Sequence, residues 1–349
     1  MDYLKTKFHD ILASEESLLV NKGQISIRGR TWKPEEFLQI YPELYNEIFQ
    51  EWLDSHRDEM LDTAKRINIK FDQENRFQKL KETYRLGGIL PFIGAGLSYP
   101  SGYPLWTDFL LGLSQKSKLT KKYISEKLKV GLYEEIAQEI SDEMGVRFNE
   151  ILDTTFRNKK ENIYGAIQIL PYIFAPICIT TNFDDLLEDV YSSKGIGFKK
   201  VMSGYMSDEI ERLLAERKDV LIKMHGESYT GKGRVLTKSE YDLRYSSDPS
   251  VMDTIISSIC ARTLLFMGCS LSVDRLLNHI KEHVHKKGHD KSSRHYAFLS
   301  DPGNKIKRID KENRLSECNI YPIWYPKGEH DQSLEALLFY LADGIKDLK

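Results

Sequence analysis

Short apolar runs recur along the chain, and between them apolar residues fall at helical spacing. The runs are Ile89–Ile93, Ile177–Thr180, Val220–Met224, Thr263–Gly268, Tyr296–Leu299 and Asn319–Trp324, with a weaker one at Phe198–Met202. They lack strict alternation of polar and apolar residues, as expected of strands buried on both faces of a parallel sheet. Their alternation with helical segments predicts an α/β fold, a doubly wound, Rossmann-like parallel sheet. Residues 1–85 precede the first run and read as an N-terminal helical extension. There Tyr41, Leu44, Tyr45, Ile48, Phe49 and Trp52 form an aromatic-rich stripe at three- and four-residue spacing. Such a stripe either packs on the parent domain or serves as an oligomer or partner surface. The remainder, 86–349, reads as the sheet domain. Its segment from about 107 to 171 carries helical patterns such as Leu132, Tyr133, Ile136, Ala137, Ile140 and Met144. That segment is expected to be a helical insertion, placed as a lid over a site.

Four of the runs end in small or polar residues. Gly94, Ala95, Gly96 and Ser98 follow the first, and Thr181, Asn182 and Asp184 follow the second. His225 and Gly226 follow the Val220 run, and Gly268, Ser270 and Asp274 end the Thr263 run. In an open parallel sheet ligands bind beyond the carboxyl ends of the strands, so these clusters are expected to meet around one ligand. The glycine turn reads either as a tight turn or as a loop whose backbone N–H groups approach a phosphate. Asn182 reads as a helix cap or as a site residue. His225 is a structural histidine or a general base with a near-neutral pKa, its glycine neighbour leaving room for a ligand. Ser270 would donate to a ribose or phosphate, or cap a helix; Asp274 is open in the same way. Asp185 reads as a first-turn carboxylate favoured by the helix dipole.

Composition narrows the chemistry. The chain has 349 residues, 41% of them hydrophobic, with a net charge of −2. That charge does not favour nucleic acid or an anionic membrane. No run approaches the length of a membrane span, and the opening MDYLKTKFHD lacks the apolar core of a signal peptide, so a cytoplasmic location is expected. The four cysteines, Cys178, Cys260, Cys269 and Cys318, form no C-x-x-C pair, which indicates neither a zinc ribbon nor a disulfide framework. His279 and His283 stand four apart on an expected helix, but no carboxylate motif accompanies them, and they read as solvated. No metal site is expected.

The ordered series GAG-x-S, T-x-N-x-D, HG and G-x-S-L, each after a strand, resembles the sirtuin fold. More specifically, it is similar to the sirtuin-like NAD hydrolases of bacterial antiphage defence systems. The resemblance covers roughly Ile89 to Phe298. It departs from the deacetylating sirtuins in lacking their two cysteine pairs, and in having Pro104-Leu105-Trp106 where those enzymes have Pro-Asp-Phe-Arg. Protein deacetylation is therefore not expected. The resemblance implies NAD as substrate and cleavage of the nicotinamide–ribose bond to nicotinamide and ADP-ribose. It places Asn182 beside the nicotinamide ribose and gives His225 the role of acting on a ribose hydroxyl or the attacking water. It implies that Gly94, Ala95, Gly96, Ser98, Thr181, Asp184, Gly268 and Ser270 bind the dinucleotide, the pyrophosphate resting mainly on the Gly94–Ser98 loop. Asn182 and His225 are accordingly expected to touch ligand rather than core. Because nicotinamide leaves as a neutral molecule from a cationic substrate, no strong general acid and no metal is needed, unlike ordinary glycoside hydrolysis. An unregulated NAD hydrolase would poison its own cell, so a homo-oligomer or a partner, such as a hexameric translocase ATPase, is expected to gate it.

Two other readings compete. A Rossmann dehydrogenase wants an acidic residue ending a second strand about 20 residues past its glycines, but Trp106–Ser117 reads as a helix. A non-catalytic nucleotide sensor regulating a partner ATPase or nuclease would bind without turnover.

Overall fold

The computed structural model describes residues 2–13, 25–27, 30–203, 207–216, 219–228, 233–245, 251–272 and 275–345. An antiparallel hairpin comes first, β1 (Ile25–Ile27) paired with β2 (Arg30–Trp32). The main sheet follows as β3 (Ile89–Ile93), β4 (Ile177–Thr180), β5 (Lys200–Ser203), β6 (Val220–Lys223), β7 (Thr263–Met267), β8 (His295–Ser300) and β9 (Ile320–Tyr325). Every expected run becomes a strand, including the weak one, which forms the edge strand β5. The strands lie in the order β5-β6-β4-β3-β7-β8-β9, and every pairing is parallel. From β3 the chain builds first toward β4 and β6. It then returns to add β7 on the other side of β3. That reversal is the topological switch point, where a crevice opens beyond the strand ends.

Successive side chains of a strand point to opposite faces, and this divides the core in two. Ile93, Cys178, Leu221, Leu265 and Met267 enter the core shared with helices Pro42–Lys70 and His330–Leu341. Leu90, Phe92, Ile179, Ile222, Leu264 and Phe266 enter the other, under helices Ser207–Ala215, Val251–Ile259 and Arg275–Lys287. Both faces are covered, which is why the strands read as continuous apolar runs. The segment between β3 and β4 includes the helices Trp106–Leu113, Lys121–Lys129, Tyr133–Met144 and Val146–Arg157. No helix among the described residues is long and apolar enough to cross a membrane.

The N-terminal extension is not wholly helical, since β1 and β2 interrupt it. Their three-residue strands are too short to show a period in the sequence. The extension's aromatic stripe is mostly covered within the chain. Phe8, from the helix Asp2–Ala13, lies 5.8, 5.3 and 5.4 Å from the rings of Tyr45, Phe49 and Trp52, while Tyr41 and Leu44 stay exposed. A buried ionic cluster holds the extension to the sheet domain. Glu335, on the helix His330–Leu341, accepts from Lys7 Nζ at 2.6 Å and pairs with His56 Nε2 at 2.9 Å. Residues of the extension and of the sheet domain share one continuous apolar core.

Glu335→Ala would leave His56 and Lys7 without their buried partner. Breaking such a pair typically costs about 3–5 kcal/mol. Chemical denaturation should show a loss of that order, and a loss below about 1 kcal/mol would mean that the cluster does not hold the extension.

Candidate active site

Gly94, Gly96 and Gly268 bring the β3 and β7 loops into backbone contact. A Cβ at Gly94 would lie 2.6 Å from the Gly268 carbonyl oxygen, and one at Gly96 would lie 2.9 Å from Gly268 Cα. One at Gly268, whose φ is +69°, would lie 2.6 Å from Leu97 N. The N–H groups of Gly94 and Gly96 donate to the carbonyls of Met267 and Gly268, each at 2.9 Å. Leu97 and Ser98 donate to the carbonyls of Gly94 and Ala95 at 3.1 Å. Within the loop only the Ala95 N–H has no backbone acceptor among the described residues. The expected phosphate cradle is thus largely closed on itself. Glycine is required here because two backbones touch, and one N–H remains to face an anion.

Ser98, Asn182 and Asp184 form a buried hydrogen-bonded set behind the loop. Asn182 Nδ2 donates to Ser98 Oγ at 3.0 Å, and Ser98 Oγ donates to Asp184 Oδ1 at 3.2 Å. The Leu186 N–H also donates to Asp184 Oδ1, so this carboxylate starts the helix Leu186–Ser192. Because the Ser98 proton goes to the carboxylate, Ser98 accepts from Asn182, and the amide oxygen is turned away. Asn182 Oδ1 is buried and has no hydrogen-bond partner among the described residues. A buried acceptor without a donor carries a desolvation cost of about 1–3 kcal/mol, so this atom is suited to meet a donor from a ligand. Burial pushes the Asp184 carboxyl up to about 6, against the bonds from Leu186 and Ser98.

A cleft of about 400 Å³ opens over the strand ends. Gly94, Ala95, Gly96, Thr181, His225, Gly268 and Ser270 line it. Asn182, Ser98 and Asp184 do not; they stand one layer behind, because their polar groups bond to one another. His225 is only 8% exposed, and burial lowers its imidazole to about 4. Its Nε2 lies 3.4 Å from Tyr245 Oη, and Tyr241 meets its ring edge-on at 5.6 Å. Asn182 and His225 therefore belong partly to the core, contrary to expectation. Gly226 does not make room for a ligand either. Its φ is +71°, and a Cβ there would lie 2.4 Å from the Gly233 carbonyl oxygen.

The helical insertion closes one side of the cleft through Trp106, Tyr133 and Glu134. Glu134 pairs with Arg275 at 2.6 Å, and Arg275 also pairs with Asp242 at 2.7 Å. This ion triad pins the insertion to the opposite wall.

Lys223, the last residue of β6, was not singled out by the sequence reading. Its side chain is wholly buried and meets Asp185 at 2.6 Å, Glu188 at 2.9 Å and Glu227 at 3.3 Å. Burial alone would depress the ammonium, but Glu188, Asp185 and Glu227 outweigh it and hold the pKa above its usual value. Asp185 and Glu188 follow Asn182, and Glu227 follows His225. One buried cation thus ties together the two loops that carry the candidate catalytic residues. A lysine inside the apolar run VLIKM was the available signal, because a charge is buried only with partners.

His279 is half-buried rather than solvated, and its Nδ1 lies 2.7 Å from Asp253 Oδ1. With Glu282 these residues place their ligand atoms within 4.8 Å of one another, a grouping that could hold a cation. His279 and Asp253 already satisfy each other there. Asp274 lies outside the described residues.

Lys223→Met should cost about 3–5 kcal/mol in chemical denaturation, the range for breaking a buried ion pair, and Lys223→Arg distinctly less. Equal losses would mean that the cation does not matter. For His225, the folded value lies below the ordinary one, so the unfolded chain binds more protons between about pH 6.5 and 4. Its stabilising contribution is complete above pH 6.5 and is lost as pH falls through about 4. The difference is on the order of 3 kcal/mol. In His225→Gln that acid dependence should vanish. Wild type measured against the variant should therefore lose ground from pH 7 to pH 4.5, whereas parallel curves would show that the imidazole titrates normally.

Residues 176–323 match the family described as the SIR2-like domain. This span contains Asn182, His225, Gly268 and Ser270 but not the Gly94–Ser98 loop. The chain is 26% identical over 234 residues to "NAD(+) hydrolase ThsA" of Acinetobacter baumannii, covering 64% of this chain and 43% of that protein. It is 23% identical over 222 residues to the Enterococcus faecium protein of the same name, covering 60% and 43%. It is 26% identical over 238 residues to "Defense-associated sirtuin 2" of Bacillus subtilis, covering 64% and 22%. The chain spans less than half the length of each of these relatives. The parallel sheet and its switch-point cleft agree with these likenesses, and the chain is similar to sirtuin-like proteins, with the SIR2-like match running over residues 176–323.

Proposed function

We propose that the chain is an NAD glycohydrolase that releases nicotinamide and leaves ADP-ribose. The observation that carries the reading is one cleft at the switch point where His225, Thr181 and the two interlocked glycine ends meet, with the orphan acceptor Asn182 Oδ1 just behind. Two relatives named as NAD(+) hydrolases favour this reading over a Rossmann dehydrogenase. So does the topology. The segment after the glycine turn is the helix Trp106–Leu113, and the next strand begins only at Ile177.

In this reading the cleft holds the dinucleotide so that the ribose lies over Thr181 and His225. Asn182 Oδ1 accepts a hydrogen bond from the ribose or the attacking water and fixes its direction. His225, neutral at physiological pH, accepts or relays a proton through a ring nitrogen. The insertion, pinned by Glu134 and Arg275, excludes bulk water from one side. The positive charge already on nicotinamide makes it a good leaving group, so positioning and electrostatics do most of the work. The cellular role that fits is NAD depletion during antiphage defence. A gate by self-association would use the exposed Ile40, Tyr41 and Leu44 at the start of the helix Pro42–Lys70.

Nicotinamide release by purified protein tests the reading. Asn182→Ala and His225→Ala should each lower turnover by about 10²–10⁴-fold, as for loss of a positioned acid–base group. Since both side chains are buried, each should also cost about 1–3 kcal/mol of stability. Melting on the same preparations separates the two effects. Binding of NAD without any turnover by wild type would favour a nucleotide sensor instead.

A further inference from the structure

Among the described residues, the cleft wall carries one carboxylate, Glu134, and no lysine or arginine. Its histidine, His225, is uncharged at neutral pH. A dinucleotide brings a pyrophosphate dianion, and the adjoining glycine loop leaves only the Ala95 N–H for it. Burying such a charge without a cation is costly. Among the described residues, two cations bond to groups of the wall. Arg275 is already held by Glu134 and Asp242. Lys311, on the helix Lys305–Ser316, donates at 2.6 Å to the carbonyl of Ser270, a wall residue. Among the described residues that carbonyl is its one hydrogen-bond partner, and no carboxylate pairs with it. Beside it the hydroxyls of Ser270 and Ser272, both wall residues, lie 3.1 Å apart.

We propose that Lys311, with the hydroxyls of Ser270 and Ser272, forms the phosphate subsite of the cleft and takes the pyrophosphate of a dinucleotide. This rests on the reading of the cleft as a dinucleotide site. On binding, the ammonium exchanges a neutral carbonyl for a phosphate oxygen, and charge-assisted bonds of that kind are roughly twice as strong as neutral ones. Burial, with Arg314 nearby, lowers the lysine to about 8, as expected of an ammonium whose charge has no counter-ion. The β7 loop, rather than the glycine loop, then supplies most of the anion's donors.

The test uses the full chain as wild type, Lys311→Gln and Lys311→Arg. KM for NAD and the affinity for ADP-ribose are measured, with nicotinamide riboside as the substrate without phosphate. Lys311→Gln should raise the NAD KM and weaken ADP-ribose roughly ten- to a hundredfold, the range for losing a hydrogen bond to a charged group. Its kcat should stay close to that of wild type. Lys311→Arg should retain most of the affinity, and riboside cleavage should be the same in all three. Unchanged ADP-ribose affinity in Lys311→Gln, or an equal loss on the riboside, would overturn the subsite. Should wild type fail to cleave NAD while Lys311→Gln still weakens ADP-ribose, the subsite stands and the hydrolase reading falls. NAD turnover with affinity independent of Lys311 gives the reverse.

Discussion

The contact between the β3 and β7 backbones governs the site. Gly94 and Gly96 sit against Gly268 so closely that a side chain on any of the three would displace main chain. Hydrogen bonds from Gly94 to Met267 and from Gly96 to Gly268 extend the parallel pairing of these strands past their formal ends. This contact fixes where the β7 loop places Cys269, Ser270 and Leu271. It also fixes the floor over which Thr181 and His225 arrive from the other side of the switch point. His330 braces the same loop from the far helix, with its Nε2 3.2 Å from the Gly96 carbonyl and its Nδ1 2.6 Å from Tyr325 Oη. A carbonyl only accepts, so Nε2 carries the proton and Nδ1 accepts from the tyrosine.

Behind that floor, charge rather than close packing sets the geometry. Lys223 lies at the end of β6, two residues before His225, and reaches the carboxylates that follow Asn182. A fully buried ammonium is tolerable only while all its partners are in place. The loop after β4 and the loop after β6 are therefore locked to one another, and the distance between Asn182 and His225 is set by a side chain that belongs to neither.

Much of this was legible in the sequence. The apolar runs specified every strand of the sheet, because strands buried on both faces leave no polar positions to blur them. Seven of the residues read as site candidates line one cleft, since strand ends in a parallel sheet must converge at the switch point. What was not legible depends on through-space partners. Ser98, Asn182 and Asp184 read as ligand-facing because they are polar and follow strands, yet they bond to one another and leave only the Asn182 amide oxygen unmatched among the described residues. The glycines read as a phosphate loop, and sequence cannot show that another backbone already occupies their N–H groups. Lys223 left one signal, a charge inside an apolar run, but the carboxylates that pair with it lie outside that run; Lys311 left none, because an isolated lysine says nothing until its neighbours are known. The hairpin of β1 and β2 escaped because three residues cannot display a period.

A base whose conjugate acid has a pKa near 4 is weak at neutral pH, and this constrains how the cleft could act on NAD. General-base catalysis is most effective when the base titrates near the working pH. His225 sits well below it because it is buried, and among the described residues no anion offsets that burial. Strong proton abstraction in the ground state is therefore not its part. Cleavage of a glycosidic bond to a cationic leaving group does not need it. As nicotinamide departs, the sugar carbon becomes electron-poor, and an incoming water grows acidic only once its bond to that carbon is largely formed. A neutral acceptor held in place suffices at that late stage, and a charged imidazolium beside an oxocarbenium would oppose it. Burial that lowers the histidine's pKa is thus compatible with the chemistry. In the proposed reaction, it would keep positive charge away from the carbon that becomes electron-poor.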